Sequence, residues 1–224
     1  MRSRLLPART LAAVVALAAL AGGCGAGDDW SRPHAEPTAV GSLAPGFSDP
    51  VATPAPESTI TPRAGSWNDV RPSEDYRVVL LTTGQDPQTR TLVDAVLTWA
   101  EENDVDLRTI APTDPHQYVA SISQAIQLKP DLIVSAGNDL VDPLAMVSPN
   151  HLDQQFLVVG AELAEPTENV TAADWTGASF RGEGLGMSST YDPASFTPER
   201  AGRAIRAGVA AVLNGLTGIV IWLD

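Results

Sequence analysis

The sequence predicts one doubly wound α/β lobe with a mainly parallel sheet over residues 76–224. Three observations predict it. Short apolar, β-branched runs recur without polar alternation, as expected of strands covered on both faces. Between them lie stretches with apolar residues at helical spacing. Asp-Pro or Thr-Pro pairs stand where helices should begin, a cap followed by proline at the first helical position. Strands alternating with helices imply βαβ units.

Taken in order, Arg77 to Thr83 is the first strand, an apolar run ending in two threonines. Asp86-Pro87 then caps a helix whose buried face is Leu92, Val96, Trp99 and Ala100, ending at Asn103. Val105 to Ile110 is a second strand. Asp114-Pro115 repeats the cap, and Val119, Ile122 and Ile126 form the stripe of a helix that Pro130 ends. Asp131 to Ala136 is the third strand, and Asp142-Pro143 opens a short helix. Gln155 to Gly160 is the fourth strand, and Asn169 to Trp175 a weaker fifth. Residues 176–196 are rich in glycine and serine and read as loop. Thr197-Pro198 caps a long helix with Ile205, Val209, Val212 and Leu216 on one face, and Gly218 to Leu223 is the last strand.

Two segments precede the lobe. Residues 1–23 carry Arg2, Arg4 and Arg9, an apolar run from Leu11 to Ala21, and Gly22-Gly23 before Cys24. A positive start, a short apolar core and small residues describe an export signal. The run is too short for a bilayer, which needs about 20 residues. Leu20-Ala21-Gly22-Gly23-Cys24 resembles the bacterial lipobox, which implies cleavage before Cys24 and lipidation of that residue. Cys24 is the only cysteine in the chain, so no internal disulfide is possible. Residues 24–75 hold eight prolines among Gly, Ser, Thr, Ala and Asp, with no apolar periodicity. They read as a disordered tether with a mean reach of about 40 Å. Trp30 and Trp67 read there as incidental aromatics rather than partner contacts.

Residues 1–23 contain three of the 14 basic residues and none of the 27 acidic ones, so a chain beginning at Cys24 has a net charge of −16. Such a surface repels nucleic acid.

In an open α/β sheet, ligands bind beyond the carboxyl ends of the strands. The candidate ligand-binding residues are therefore Thr83, Gly84, Gln85 and Asp86 after the first strand, and Gly137, Asn138 and Asp139 after the third. Glu162 follows the fourth and Trp175 ends the fifth. Hydroxyls, amides and carboxylates suit a neutral polyol or a cation better than a phosphate. Catalytic signatures are missing: there is no GxSxG elbow and no P-loop, and Gly182-Glu183-Gly184 does not sit between a strand and a helix. The histidines are scattered, and nothing points to a metal or other cofactor. Asn169-Val170-Thr171 matches a glycosylation acceptor and reads as a chance match.

Over residues 76–186 the chain resembles the basic membrane protein family of solute-binding lipoproteins. The resemblance lies in Arg77 to Gly84 (RVVLLTTG), in Lys129 to Leu144 (KPDLIVSAGNDLVDPL) and in His151 to Glu162 (HLDQQFLVVGAE). Asn169-Val170 and Phe180-Arg181-Gly182-Glu183 complete it. It implies a Rossmann-like lobe of a periplasmic-binding type I fold, serving an ABC importer and often binding purine nucleosides. The family's ribose-binding aspartate falls at Gly160. Only one lobe fits in the chain, where the family has two around a cleft.

The expected function is non-catalytic binding of a small polar solute, nucleoside-like by the resemblance. The lobe would be anchored to the cell membrane by lipid at Cys24, with an ABC permease or a second chain as partner. Two other readings are a ligand-free module that docks on an envelope complex, and a hydrolase with Asp86, Asp139 or Glu162 as base.

Overall fold

The computed structural model describes residues 30–223. The export signal and Cys24 lie outside the described residues. The described residues form nine strands and four α-helices: β1 (Ala39–Val40), β2 (Thr59–Ile60), β3 (Arg71–Pro72), β4 (Arg77–Thr82), α1 (Pro87–Glu102), β5 (Asp106–Ile110), α2 (Tyr118–Gln127), β6 (Leu132–Ala136), α3 (Val141–Val147), β7 (Phe156–Val159), β8 (Val170–Asp174), α4 (Pro198–Leu213) and β9 (Val220–Trp222).

Seven strands make one parallel sheet in the order β5-β4-β6-β7-β8-β9-β2. The four central apolar residues of β4 show why the pattern was continuous rather than alternating. Val78 and Leu80 face one core with α1 and α4; Val79 and Leu81 face the other with α2 and α3. The predicted doubly wound lobe is what forms. The caps read from sequence are also in place at two helices. Asp86 accepts from Thr89 N–H at the head of α1, and Thr197 accepts from Arg200 N–H at the head of α4. Asp114 caps a single 3₁₀ turn (Pro115–Gln117) that leads into α2.

Asp142 is a correction. It lies in the first turn of α3, because a 3₁₀ turn from Asn138 to Leu140 already starts the helix. Its carboxylate reaches out to Glu183 N–H at 3.1 Å. Asn169 also has a structural role: its fully buried amide donates to the carbonyls of Ser148, His151 and Gln154 at 2.8–3.2 Å.

The larger correction concerns the tether. Its described part, residues 30–75, packs on the lobe. β2 pairs in parallel with β9 and extends the sheet, and β1 pairs with β3. Phe47 and Trp67 meet edge to face, 6.3 Å apart, and both are buried in the α1/α4 core. Trp30 is buried on the opposite side. Its ring lies 4.1 Å from the Arg108 guanidinium, and its indole N–H donates to Asp106. Arg77 holds the Trp30 and Arg32 carbonyls, and His34 lies 2.8 Å from Asp131. These contacts seat the start of the described chain at the amino ends of β4, β5 and β6. The prolines suppress regular elements, because each lacks an N–H. A few large aromatics bury enough area to offset ordering without any periodicity.

This packing predicts that Trp67→Ala destabilises the domain by about 3–5 kcal/mol, the range for truncating a buried Trp. Urea denaturation of the full chain measures it. A loss under about 0.5 kcal/mol, the usual surface value, would return residues 30–75 to the role of tether.

Candidate functional site

β4 and β6 are adjacent, and the connections from their carboxyl ends leave on opposite faces of the sheet, α1 to one side and α3 to the other. A crevice at that position is the usual ligand site of such sheets. Here it is a cavity of about 220 Å³. Thr83 and Asp86 line it from β4, and Gly137, Asn138 and Asp139 from β6. Gln88, Thr89 and Leu92 of α1 complete one wall, and Tyr191 and Phe196 another.

Local geometry explains the placement. Gly137 has φ +121°, and a Cβ there would lie 2.8 Å from the Thr83 carbonyl oxygen, so the two strand ends meet through bare backbone. The Thr83 hydroxyl donates to the Pro112 carbonyl at 2.9 Å, tying the end of β4 to the segment after β5. Asp86 takes two bonds from Thr89, one from its N–H at 2.8 Å and one from its hydroxyl at 2.7 Å. Burial works to raise the Asp86 pKa, but the donations from Thr89 and from nearby backbone N–H groups outweigh it. Its carboxyl is held below the ordinary value and is ionised at neutral pH.

Five of the nine predicted residues thus converge: Thr83, Asp86, Gly137, Asn138 and Asp139. Gly84 and Gln85 are exposed beside the cavity without lining it. Glu162 is buried and turned away, accepting from the Ser188 hydroxyl at 2.5 Å. Arg181 Nε lies 3.2 Å from it, an ion pair without hydrogen-bond alignment. Trp175 is completely buried, and its indole N–H donates to Ser195 Oγ at 3.0 Å. It supports the site from below. Its ring meets Phe196 at 5.2 Å, and Phe196 meets Tyr191 at 5.9 Å, an aromatic ladder from core to surface.

Tyr191 and Phe196 were missed because they fall in the stretch read as loop. Their signal is two aromatics just ahead of the Thr197-Pro198 cap. Gly160 underlies the ladder. A Cβ there would lie 3.0 Å from Phe196, 3.1 Å from Trp175 and 3.3 Å from Leu92. The position that the resemblance equates with a ribose-binding aspartate is therefore filled by aromatic packing.

Deeper in the same edge lies Asp174, at the end of β8 and fully buried. Its Oδ1 accepts from the N–H groups of Trp175 and Ser179 at 2.8 and 3.0 Å; Oδ2 has no partner. Burial pushes its carboxyl up to about 7, against the two backbone donors and with a smaller push from Glu162. Among the described residues no cluster of His, Cys, Asp and Glu could hold a metal ion.

No known family and no curated protein matches the sequence. Solved structures do resemble it. One is an ABC transporter solute-binding protein from Aeropyrum pernix K1, with TM-score 0.41 and 23% identity over 45% of this chain and 29% of that one. A second is a fragment described as a lipoprotein from Peptoclostridium difficile 630, with TM-score 0.46 and 17% identity over 62% and 99%. A third is an ABC transporter solute-binding protein from Conexibacter woesei DSM 14684, with TM-score 0.38 and 21% identity over 46% and 36%. The chain spans about a third of the length of the two solute-binding proteins. The likeness is distant and structural, and none of the three is named as a basic membrane protein.

The buried acid makes a pH prediction. Its pKa in the unfolded chain is about 4, below the folded value. The folded state therefore binds more protons between the two values, and stability falls as pH rises through that window. The contribution of the protonated form is complete below about pH 4 and lost above about pH 7. Asp174→Asn keeps the acceptor and removes the charge. Denaturation at pH 5 and pH 8 should show a smaller decline for this variant than for the parent. An equal decline would mean that Asp174 is not the group responsible.

Proposed function

We propose that the lobe binds a small polar solute at its carboxyl edge without catalysis, and that lipid on Cys24 holds it outside the cytoplasm. The observation that carries the first part is the convergence of Thr83, Asp86, Asn138 and Asp139 on a cavity with an aromatic wall, where the chain reverses its winding. The size of the cavity, about 220 Å³, suits a molecule smaller than the drug-sized ligands of about 300–1,000 Å³ sites. Binding rather than chemistry is favoured by the state of the carboxylates. A general base works best with a pKa near the operating pH, and Asp86 is shifted the other way. Asp174, pushed up to about 7, is fully buried and does not line the cavity. Glu162 is occupied by Ser188 and Arg181.

The described lobe by itself has no hinge to close over a ligand. Modest affinity follows, unless an ABC permease or a second chain supplies the opposite wall. A nucleoside is the finer form of this reading, with the exposed Tyr191 ring as a plane for the base. The filled position at Gly160 weighs against it.

Among the described residues no helix is long and apolar enough to cross a membrane. Lipidation at Cys24 rests on the lipobox. With Trp30 seated, five residues lie between the two, six steps along the chain and a span of at most about 21 Å. That would hold the lobe much nearer the membrane than a 50-residue tether.

Two measurements test these readings. Thermal denaturation of the full chain in detergent, against nucleosides, sugars, amino acids and amines, should show one class raising the Tm. At a hundredfold excess over Kd the rise should be about 5–10 °C. If no class shifts it, solute binding is wrong and the ligand-free docking module is favoured. Separately, the parent should incorporate radiolabelled palmitate and fractionate with membranes, while Cys24→Ala should do neither. Membrane association that survives in Cys24→Ala would remove the lipid anchor.

A further inference from the structure

Resting on the binding reading above, we propose that the cavity takes an organic cation, a small amine whose charged head lies against Asp86 and Asp139 and whose carbon skeleton lies against Tyr191 and Phe196. Three observations support this. First, several of the donors on the cavity wall are already given to the protein. The Thr83 hydroxyl is given to the Pro112 carbonyl, the Thr89 hydroxyl to Asp86, and the Gln88 amide to the Pro193 carbonyl at 3.5 Å. An ionised carboxylate accepts about four hydrogen bonds; Asp86 takes two from Thr89, supplemented by backbone N–H groups of its own turn, and the exposed Asp139 keeps the more room. The Asn138 amide and the Tyr191 hydroxyl still offer donors, while the two carboxylates offer acceptors that only a ligand with donors can meet.

Second, no Lys, Arg or His lines the cavity, and Asp139 is exposed and makes no ion pair among the described residues. Two acidic side chains thus line one small cavity without a protein cation to balance them. A bound cation would balance that charge; a phosphate or carboxylate ligand would add to it. The chain's net charge of −13 favours approach of cations from solution.

Third, the opposite wall is aromatic. Phe196 is fixed from beneath by Trp175, and Tyr191, 38% exposed, leans on Phe196 with its ring available. An aromatic face attracts an ammonium group through its quadrupole and also covers methyl or methylene groups. Burial first, and then the charge of nearby Asp86, raise the Tyr191 phenol above its ordinary value.

The test is calorimetric titration of the full chain in detergent with choline, putrescine and agmatine, then with ribose, glucose and adenosine, then with inorganic phosphate. The amines should bind, and Asp86→Asn and Asp139→Asn should each weaken them at least tenfold. Asn still caps a helix well, so Asp86→Asn should keep α1 intact, and unchanged thermal unfolding checks this. Tyr191→Leu should weaken choline several-fold. Asp104→Asn, at the opposite edge of the sheet in a turn with φ +51° that Asn tolerates, should change nothing. Binding of neutral solutes without amines would overturn the cation assignment and leave solute binding standing. Silence from every class would overturn both. Amine binding that ignores the Asp86 and Asp139 variants, or falls equally with Asp104→Asn, is general attraction to an acidic surface and also overturns the proposal.

Discussion

β4 and β6 run parallel and side by side, paired from Val78 with Leu132 to Thr82 with Ala136, and the chain leaves them on opposite faces. That constraint organises the rest. Parallel pairing sends every strand's carboxyl end to one edge, so the loops that carry polar groups are gathered there before any side chain is chosen. Divergence of the two connections then opens a gap that no helix covers. Gly137 lets the strand ends approach closely enough for the gap to be small. Both faces of the sheet must be apolar for this arrangement, which is why β4 reads as an uninterrupted hydrophobic run.

What fills the gap is set by the far end of the chain. The resemblance to two-lobed binding proteins leads one to expect a side chain after β7 that reaches the ligand. The chain has Gly160 there, and the stretch before α4 folds back so that Phe196 occupies the space, locked by Trp175 and Ser195. The floor of the cavity is consequently hydrocarbon and its rim is carboxylate. That division leaves the ionised Asp86 facing solvent and pushes the fully buried Asp174 toward neutrality. Two aspartates at ends of the same sheet are thereby driven to opposite charge preferences, Asp174 by burial and Asp86 by donors that outweigh its lesser burial.

Much of this was legible in the sequence, and the remainder has a physical reason for being hidden. Strands and helices of the lobe follow from periodicity, and Asp86-Pro87 and Thr197-Pro198 announce α1 and α4 because capping is a local interaction. Five of the residues that line the cavity follow from the rule that ligands bind beyond strand ends. Trp175 and Glu162 obeyed the same rule and yet point inward, since the rule locates a backbone and does not say which way a side chain turns. Asp142 misled because a 3₁₀ turn can begin a helix ahead of a good cap. Residues 30–75 misled most. Disorder is inferred from low hydrophobicity and abundant proline, but Trp30, Phe47 and Trp67 are isolated residues whose contacts are all long-range. No window of neighbouring residues contains that information.

A parallel sheet has two unlike poles, and the seat of Trp30 gives them different duties. The chain comes onto the lobe at the amino pole, where Trp30 is clasped by Arg77, Arg108 and Asp106. The cavity opens at the other pole, about 20 Å away along the six residues of β4. On the proposed anchoring, the described lobe is held at its amino pole, and the cavity opens at the opposite one. A partner of the proposed site would reach it at the carboxyl pole, away from the contacts that hold Trp30.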